Sequence, residues 1–294
     1  MTDMITAAAN PAMKRIRLLL SKSRTRREEQ AFVIEGLRLY LDTPDEFIGE
    51  TYVTPGFLKD AEKEPGETGR RLREKLGKHR VQTVAEDVFA KISDTGTPQG
   101  VLCVVRMPVW KEADLTGNGP DPQTSGEPAE GKKAPLLLVL EDIQDPGNLG
   151  TMFRTAEAAG VTGILMNRGT ADLFNPKTVR ATMSAVFRVP SACTDDLEES
   201  IRQLKTGGIR VYAAHLLGKS GYDTFDFTGG TAFLIGNEGS GLTEATASLA
   251  DDYLRIPMEG RIESLNAAMA AGILVYEAYR QRRQDISGRL RHGC

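Results

Sequence analysis

Residues 136–156 read LLLVLEDIQDPGNLGTMFRTA, a short apolar run followed by a Pro-Gly turn and a helical pattern. The apolar run predicts a buried strand, and Asn148 after the turn is a typical N-cap residue for the helix. Asn148 and Arg154 then lie near the start of a helix that follows the carboxyl end of a strand, where open α/β sheets bind ligands. A helix start beside an arginine suits a phosphate or another anion. The residues alone leave open the alternative of an ordinary cap and a surface arginine.

The chain from 134 to 283 repeats this alternation of apolar runs and helical stretches. The runs that we predict to be strands are LLLVL, GILM, FRVP, IRVYAA, TAFLIG and YLRIP. Apolar strands separated by helices are typical of a parallel sheet that is covered on both faces. We therefore predict an α/β domain over residues 134–283.

A stretch without apolar periodicity precedes this domain. Residues 109–133 are rich in Gly, Pro, Ser and charged residues, and their flanks read VLCVVRM and PLLLVLE, so we predict a flexible linker. Residues 11–108 are predicted to form a smaller α/β domain, and residues 284–294 a basic tail. The elements predicted in the smaller domain are a basic helix, a strand at AFVIEG, a helix from Leu37, short strands near Thr51 to Thr54, a basic helix from Arg70 and a closing strand at Gly100 to Val105.

The composition of the 294 residues is that of an ordinary globular protein. With 40% hydrophobic and 26% charged residues the chain fits neither the disordered nor the collagen-like class. Cys103, Cys193 and Cys294 are widely spaced and predict neither a disulfide framework nor a zinc site, and the three dispersed histidines argue against a metalloprotease or a histidine triad. No apolar run is long enough to cross a membrane and no export signal is recognisable, so we expect a cytoplasmic protein without a bound metal.

Positive charge is concentrated in two segments, although 37 Lys and Arg against 40 Asp and Glu give a net charge of −3. Residues 14–29 carry seven cations and two carboxylates, and residues 70–80 carry six cations and one carboxylate. Such clusters suit RNA phosphates, and they also occur on solvated helix faces. Charge alone does not decide between these two interpretations.

Two further segments combine strand ends with distinctive loops. Residues 233–243 read FLIGNEGSGLT, with glycines in the order GxxGxG rather than the GxGxxG of dinucleotide-binding folds. Glycines there let backbone groups line a pocket, although turns after strands also need glycine for steric reasons. Residues 256–274 read IPMEGRIESLNAAMAAGIL, in which Ser264 is a suitable N-cap for a helix rich in small residues. Such a helix indicates close packing against another element.

Taken together, the patterns NxGxxxRTAxAxG, GNEGxGL and IPMxGxxxSLN resemble the three motifs of the SpoU/TrmH family of RNA ribose 2′-O-methyltransferases. The resemblance covers residues 136 to about 283. It implies a trefoil-knotted parallel-sheet domain of the SPOUT superfamily, one of the rare exceptions to the rule that chains do not thread loops. It also implies S-adenosylmethionine as the methyl donor and a homodimer formed through the carboxyl-terminal domain.

The resemblance also implies roles for single residues. It places the donor against Leu234, Ile235, Gly236, Gly239, Ile256, Pro257, Met258, Leu265 and Asn266. It implies a catalytic set made of Asn148, Arg154, Glu238, Ser264 and Asn266. In this set Arg154 assists deprotonation of the ribose hydroxyl. Because a guanidinium stays protonated in proteins, we expect Arg154 to orient the hydroxyl and the adjacent RNA phosphate, which accepts the proton.

The segments SKSRTRREEQAFVIEGLRL and DTGTPQGVLCVV resemble the amino-terminal substrate-binding domain of ribosomal-RNA members of the family. The resemblance implies a ribosomal-protein-like α/β fold and favours large-subunit ribosomal RNA as the substrate. We therefore expect RNA contacts from Lys14, Arg17, Lys22, Arg24, Arg26, Arg27 and Arg154. The alternatives are a tRNA 2′-O-methyltransferase, a ribosomal-RNA resistance methyltransferase and an RNA-binding protein with an inactive SPOUT domain. The presence of Arg154 and Glu238 disfavours the inactive alternative.

Overall fold

The computed structural model describes residues 4–117, 134–262 and 264–291, with side chains as far as Gln284. The chain divides into two compact units. Unit 1 consists of Met1–Val109 together with Asp172–Phe187, and unit 2 consists of Trp110–Ala171 together with Arg188–Cys294. Both units are built from helices and a sheet, as the predicted α/β class requires.

Unit 1 contains a four-stranded sheet in the order β1-β4-β2-β3. Its strands are β1 (Ala31–Glu35), β2 (Ile48–Val53), β3 (Val81–Thr83) and β4 (Val101–Arg106), of which β4 pairs antiparallel with β1 and β2. Its helices include α1 (Pro11–Ser21), α2 (Ser23–Glu29), α3 (Leu37–Asp42), α4 (Pro55–Lys63), α5 (Gly66–Lys78) and α6 (Glu86–Ile92). The predicted elements are found, but the strands expected near Thr51 to Thr54 are the single strand β2, and α4, β3 and α6 were not predicted. The first basic helix is two helices. The break occurs at Lys22, whose backbone is extended (φ −122°, ψ 110°).

Unit 2 contains a seven-stranded parallel sheet in the order β7-β6-β5-β10-β8-β11-β9. Its strands are β5 (Leu136–Leu140), β6 (Gly163–Asn167), β7 (Ser191–Thr194), β8 (Arg210–Ala214), β9 (Ser220–Gly221), β10 (Thr231–Ile235) and β11 (Asp252–Arg255). The remaining helices are α7 (Pro146–Ala159), α8 (Pro176–Thr182), α9 (Leu197–Thr206), α10 (Glu244–Ala247) and α11 (Ala267–Arg291), of which α8 belongs to unit 1. The predicted parallel α/β sheet is confirmed, and the trefoil knot stays a prediction.

The segment Asp172–Phe187 lies between β6 and β7 in sequence but packs within unit 1. The rings of Phe174 and Phe187 have centroids 4.9 and 5.6 Å from the ring of Phe32 in β1. The predicted strand FRVP is therefore wrong, because the Phe187 side chain is buried in unit 1 at the end of a 3-10 turn. The strand of unit 2 begins only at Ser191, after a proline that has no N–H to give to a ladder.

Part of the predicted linker 109–133 is folded in unit 2. Glu112–Thr116 forms a 3-10 turn in which Leu115 is buried. Leu115 lies so close to Gly163 that a Cβ added to Gly163 would be 2.5 Å from the Leu115 Cα. Residues 118–133 of the predicted linker lie outside the described residues. The backbone of the predicted tail continues α11 as far as Arg291, and residues 292–294 lie outside the described residues.

Three loops meet at the carboxyl edge of the unit 2 sheet. Because their strands β5, β10 and β11 run parallel, they leave the sheet at the same edge, as residues 141–145, residues 236–243 and the described residues 256–262 and 264–266. The third loop leads into α11, which packs against α7. Near the other end of α11, Arg282 donates to the backbone carbonyls of Ala134 (2.6 Å) and Pro135 (2.9 Å). The helix is therefore tied to the residues just before β5, and its own start is held beside the start of α7.

Candidate active site

Side chains that follow three different strands form a hydrogen-bonded chain at this edge. Glu238 Oε1 accepts from Asn148 Nδ2 at 2.9 Å, and Asn148 Oδ1 accepts from Asn266 Nδ2 at 2.9 Å. Asn148 follows β5, Glu238 follows β10 and Asn266 follows β11. The fold thus brings together three of the five residues that the resemblance assigns to catalysis.

Glu238 is held as a fixed carboxylate. Its Oε2 accepts from the backbone amide of Gln144 and its Oε1 from that of Asp145, both at 3.0 Å. Partial burial opposes ionisation, but the hydrogen bonds from Asn148 and from these two amides outweigh it and lower the pKa of Glu238 below its ordinary value. Glu238 is therefore ionised at neutral pH, which suits it to join loops and to supply negative charge rather than to accept a proton.

The capping residues of α7 and α11 differ from the prediction. Asp145 rather than Asn148 caps α7, because its carboxylate accepts from the Asn148 amide at 2.9 Å and a proline occupies the first helical position. Asn266 rather than Ser264 lies at the start of α11, where its Oδ1 accepts from the amide of Ala268 at 2.9 Å. The first correction has a functional consequence, since it leaves the Asn148 side chain available to Glu238.

The glycine-rich loop after β10 is shaped by Asn237. Its Oδ1 accepts from the amide of Gly239 at 2.8 Å, and its Nδ2 donates to the carbonyl of Asp142 at 2.8 Å. A Cβ on Gly236 would lie 2.2 Å from the carbonyl carbon of Gly241, so only glycine fits at this position. The glycines predicted to line a pocket therefore also allow the loop to fold back on itself.

Glu141 ties the same loop to the end of β5. Its side chain is buried, and its Oε2 accepts from the amide of Thr243 at 2.8 Å. Its Oε1 accepts from the hydroxyls of Thr243 and Thr246. Neither Glu141 nor Asn237 was predicted from the sequence to have this role. Their common signal is a polar residue one or two positions after an apolar strand, where its side chain can satisfy backbone groups of a neighbouring loop.

A cavity of about 330 Å³ opens beside Glu238, between the loops that follow β10 and β11. Sites for small molecules have volumes of roughly 300–1,000 Å³. The residues of the predicted donor set that line the cavity are Ile235, Gly236, Gly239, Ile256, Met258 and Leu265. Ser264 and Glu238 of the predicted catalytic set line it as well. The end of β8 adds His215 and Leu216, which the sequence analysis did not single out.

Three residues of the predicted donor set are not among those that line the cavity. Leu234 is fully buried in the apolar core of unit 2, so its side chain is not exposed to a ligand. Pro257 is exposed beside the cavity, and Asn266 is held by Asn148. Contacts from these three residues to the donor stay a prediction.

The cavity fits S-adenosylmethionine in its chemistry. Ile235, Ile256 and Leu265 offer apolar contacts to a flat heterocycle, and Gly236 lets backbone groups approach a ligand closely. Among the side chains that line the cavity, Glu238 is ionised and supplies negative charge, which favours a cationic sulfur. The described residues are therefore a suitable donor site.

Arg154 lies apart from the Glu238–Asn148–Asn266 chain. It is exposed on α7 and, among the residues that the structure describes, forms no hydrogen bond or ion pair. Six positions separate it from Asn148, which turns it by about 120° around a helix of 3.6 residues per turn. Arg154 and Asn148 therefore do not share a face of α7, although both were expected near one helix start.

The expected RNA-binding residues of unit 1 divide into two groups. Arg26 is only 3% exposed, and its guanidinium donates to the carbonyl of Leu19 (2.6 Å) and to the carboxylate of Asp172 (Nε, 3.1 Å). The expectation that Arg26 contacts RNA is therefore corrected, because its charge is buried and paired. The others lie wholly or partly at the surface: Lys14, Arg17, Lys22, Arg24 and Arg27.

In the part of the chain that the structure describes, no group of three or more His, Cys, Asp or Glu residues is placed to hold a metal ion. None of the helices described is both long enough and apolar enough to cross a membrane.

The parallel sheet, its three loops and the cavity beside Glu238 form the kind of site that an α/β methyltransferase needs for its donor. The chain belongs to the SpoU rRNA methylase family, whose model matches residues 135–276, and a model of the MRM3-like substrate binding domain matches residues 10–103. The resemblance inferred from the three motifs is thereby confirmed. The expected class of enzyme, an RNA ribose 2′-O-methyltransferase, is confirmed with it.

Similar proteins of known name or structure cover almost the whole chain. The 23S rRNA (guanosine(2553)-2′-O)-methyltransferase RlmP of Bacillus subtilis is 33% identical over 279 residues, which are 92% of this chain and 97% of the relative. An AdoMet-bound rRNA methyltransferase from Sinorhizobium meliloti is 34% identical with a TM-score of 0.75, over 95% of this chain and 97% of that chain. The SpoU methyltransferase AviRb from Streptomyces viridochromogenes, in complex with AdoMet, is 26% identical with a TM-score of 0.76, over 93% and 98%. S-adenosylmethionine as the cofactor is confirmed by these likenesses.

Proposed function

We propose that this protein transfers a methyl group from S-adenosylmethionine to a ribose 2′-hydroxyl of large-subunit ribosomal RNA, and that it acts in the cytoplasm. The observation that carries the proposal is the Glu238–Asn148–Asn266 chain at the edge of the donor cavity. The choice of RNA is supported by RlmP, which is named for 23S rRNA, and by the match of residues 10–103 to a substrate binding domain.

The donor is held by the loops after β10 and β11 in this proposal. Ile256 and Leu265 contact the adenine, and Gly236 admits it close to the backbone. When bound, S-adenosylmethionine supplies a methyl group on a cationic sulfur, so that attack by a ribose oxygen leaves a neutral thioether. Glu238 faces this cation as a carboxylate and fixes Asn148 at the same time. Asn148 and Asn266 keep the rim of the cavity in place for the incoming ribose.

Arg154 orients the acceptor in this proposal. A guanidinium is always protonated and offers several N–H donors in one plane, so it binds the 2′-hydroxyl oxygen and the adjacent phosphate rather than removing a proton. The phosphate accepts the hydroxyl proton. Positioning and electrostatics then supply most of the rate acceleration.

A second copy of the chain completes the site in this proposal. Arg154 is turned away from Asn148 within one chain, and so it serves the site of the other subunit. Support for a homodimer comes from α11, where Met269, Tyr276 and Tyr279 are 60%, 47% and 39% exposed at a spacing that keeps them near one face. Co-expression of Arg154→Ala and Asn148→Ala chains tests this arrangement. Mixed dimers regain activity because one of their two sites is intact, whereas a site contained in one chain gives no recovery.

The substrate is tested with the purified protein, tritiated S-adenosylmethionine and total RNA that lacks natural modifications. We expect label in the large ribosomal RNA after separation by size. Label in tRNA alone would keep the chemistry and contradict the proposed substrate. No label in any RNA, while calorimetry still detects donor binding, would contradict the proposed enzyme activity.

A further inference from the structure

A second cavity, of about 210 Å³, lies in unit 1 and shares no residue with the donor site. It is formed by the end of β1, by one side of α3, by Gln99 in the loop before β4 and by the end of α8. It is smaller than the roughly 300–1,000 Å³ of sites for whole small molecules, so it has room for one flat ring system rather than a complete cofactor.

The charges that line this cavity are balanced. Glu35 and Asp42 are matched by Arg38 and Arg180. Glu35 already accepts hydrogen bonds from the Thr95 hydroxyl (2.6 Å) and the Asp94 amide, and Arg180 pairs with the Asp94 carboxylate at 2.7 Å. A pocket with equal numbers of both signs has no net attraction for a phosphate. It suits a neutral ligand that carries both hydrogen-bond donors and acceptors.

Two charged groups at the cavity have no partner in the described part of the chain. Arg38 and Asp42 lie four residues apart on α3 and so point to the same side of the helix, yet neither forms a hydrogen bond or an ion pair there. Gln99 uses its side-chain oxygen to accept from the Leu37 amide at 2.8 Å, which leaves its amide N–H groups available. The cavity therefore offers one open carboxylate acceptor and two open sets of donors.

Apolar side chains complete the lining. Leu39 is buried, and Met183 follows α8 with a left-handed backbone (φ 50°) that is unfavourable for a residue with a side chain. Strain of this kind persists only where surrounding structure holds it. A methionine side chain is flexible and polarisable, and it packs well against flat rings. Leu39 and Met183 thus provide surfaces for the faces of a planar ligand.

We propose that this pocket binds one unstacked guanine base of the RNA substrate. Guanine presents two adjacent donors, N1–H and the N2 amino group, which one carboxylate accepts together, and its O6 and N7 accept from a guanidinium. In this proposal the Asp42 carboxylate accepts from N1–H and the N2 amino group, and Arg38 donates to O6 and N7. Leu39 and Met183 contact the faces of the ring. This inference rests on the proposed function, since it assumes an RNA substrate, and it adds a base-specific contact to the phosphate contacts expected from α1 and α2.

The test uses the full chain and four fluorescent nine-nucleotide RNAs. One is oligouridine, and the others carry a single central guanosine, inosine or adenosine. We expect the guanosine RNA to bind about tenfold more tightly than oligouridine, as one good bidentate contact provides. Inosine lacks the N2 amino group and loses most of this gain, and adenosine lacks both donors and gains nothing. The inosine comparison leaves the protein unaltered, so it does not depend on the folding of a variant.

Asp42→Asn should bind guanosine and inosine RNAs equally and keep the wild-type affinity for oligouridine. Asp60→Asn is the matched control, because Asp60 is an exposed carboxylate on α4 outside the cavity, and it should retain the preference for guanosine. Each of three results would overturn the proposal. These are equal binding of all four RNAs by the wild type, equal binding of the adenosine and guanosine RNAs, and a guanosine preference that survives Asp42→Asn. Because these assays need no methyl transfer, a protein that methylates ribosomal RNA without discriminating the oligonucleotides would refute the pocket alone.

Discussion

The two basic segments of unit 1 resemble each other in sequence and differ in structure. On α5, Lys75 is only 8% exposed, donates to the carbonyl of Thr43 and pairs with Asp45 at 3.1 Å. Arg73 on the same helix donates to the carbonyls of Ala61 (2.9 Å) and Glu64 (3.0 Å). Cations of this segment thus form hydrogen bonds and ion pairs inside unit 1.

Most of the cationic side chains in the segment 14–29 have no partner among the residues that the structure describes. Lys14, Arg17, Lys22 and Arg27 form no side-chain hydrogen bond or ion pair with any residue that the structure describes. A count of cations therefore does not locate an RNA-binding surface. Cations that already have partners within unit 1 are less available to RNA, so α1 and α2 rather than α5 are the expected contact with RNA phosphates.

The largest effect is expected from Arg154, which extends the comparison to unit 2. Like Arg27 it has no partner in the described structure, but the proposed role is in catalysis rather than affinity. Arg154→Ala should lower the single-turnover rate of methyl transfer by at least about 100-fold, the usual result of losing one preorganised charge contact. Calorimetry should find donor affinity within a few-fold of the wild type. The control is Arg202→Ala, which removes an exposed arginine on α9. Full activity of the Arg154→Ala enzyme would contradict the proposed role of Arg154 in catalysis.

The adjacent residues Arg26 and Arg27 allow a paired, buried arginine to be compared within α2 with an exposed one that is unpaired in the described part of the chain. Arg26→Met removes the partner of Asp172 and the donor to Leu19, so it should lower the free energy of unfolding by about 3 kcal/mol. Arg27→Met should leave that free energy within about 0.5 kcal/mol and weaken RNA binding. Urea unfolding and filter binding separate the two outcomes. Equal stability of both variants would show that the buried ion pair does not hold α2.

A charge-matched pair of triple variants tests the two segments directly. The first triple variant changes three residues of α1 and α2: Lys14→Gln, Arg17→Gln and Arg27→Gln. It should make the slope of log affinity against log salt concentration shallower by about 2, because each lost phosphate contact removes roughly 0.7–0.9 from that slope. The second triple variant removes three exposed cations of α5: Arg70→Gln, Arg71→Gln and Lys78→Gln. It should leave this slope unchanged. The contrast is measured by titrating RNA at several salt concentrations. A larger change in the α5 triple variant would reverse the comparison.

The smallest effect concerns pH. Lys75, Lys78 and His79 overcome the opposing effect of partial burial and hold the pKa of Asp45 at about 2. A carboxyl whose pKa is lower in the folded than in the unfolded state stabilises the fold above its unfolded pKa, and it loses that contribution as the pH falls from about 4 towards 2. Thermal unfolding followed between pH 5 and pH 2 should show a steeper loss of stability in the wild type than in Asp45→Asn. Parallel curves for the two proteins would argue against an internal role for this cluster.

The sequence was sufficient to predict elements whose signal is local. The apolar runs located β5, β6, β8, β10 and β11, and parallel strands require the loops after β5, β10 and β11 to meet at one edge. The resemblance then selected Asn148, Glu238 and Asn266, which the structure joins by hydrogen bonds. These successes share one cause, since a strand and the loop that follows it are adjacent in the chain.

The failures depend on contacts between distant parts of the chain. The fate of Arg26 is decided by Asp172, 146 residues away, and no charge pattern near Arg26 reveals that partner. Phe187 belongs to an apolar run typical of a strand, yet its ring packs on Phe32 and Phe47 of unit 1. Sequence patterns do not report such pairings.

The central claim is that this site methylates a ribose 2′-hydroxyl of ribosomal RNA. The most direct test is mass spectrometry of the nucleosides released from unmodified large-subunit RNA after reaction with S-adenosylmethionine whose methyl group carries deuterium. We expect one nucleoside with a deuterated methyl on its ribose, and the same experiment with Arg154→Ala should yield almost none. A deuterated methyl on a base, or no deuterium in the RNA although the donor binds, would contradict it.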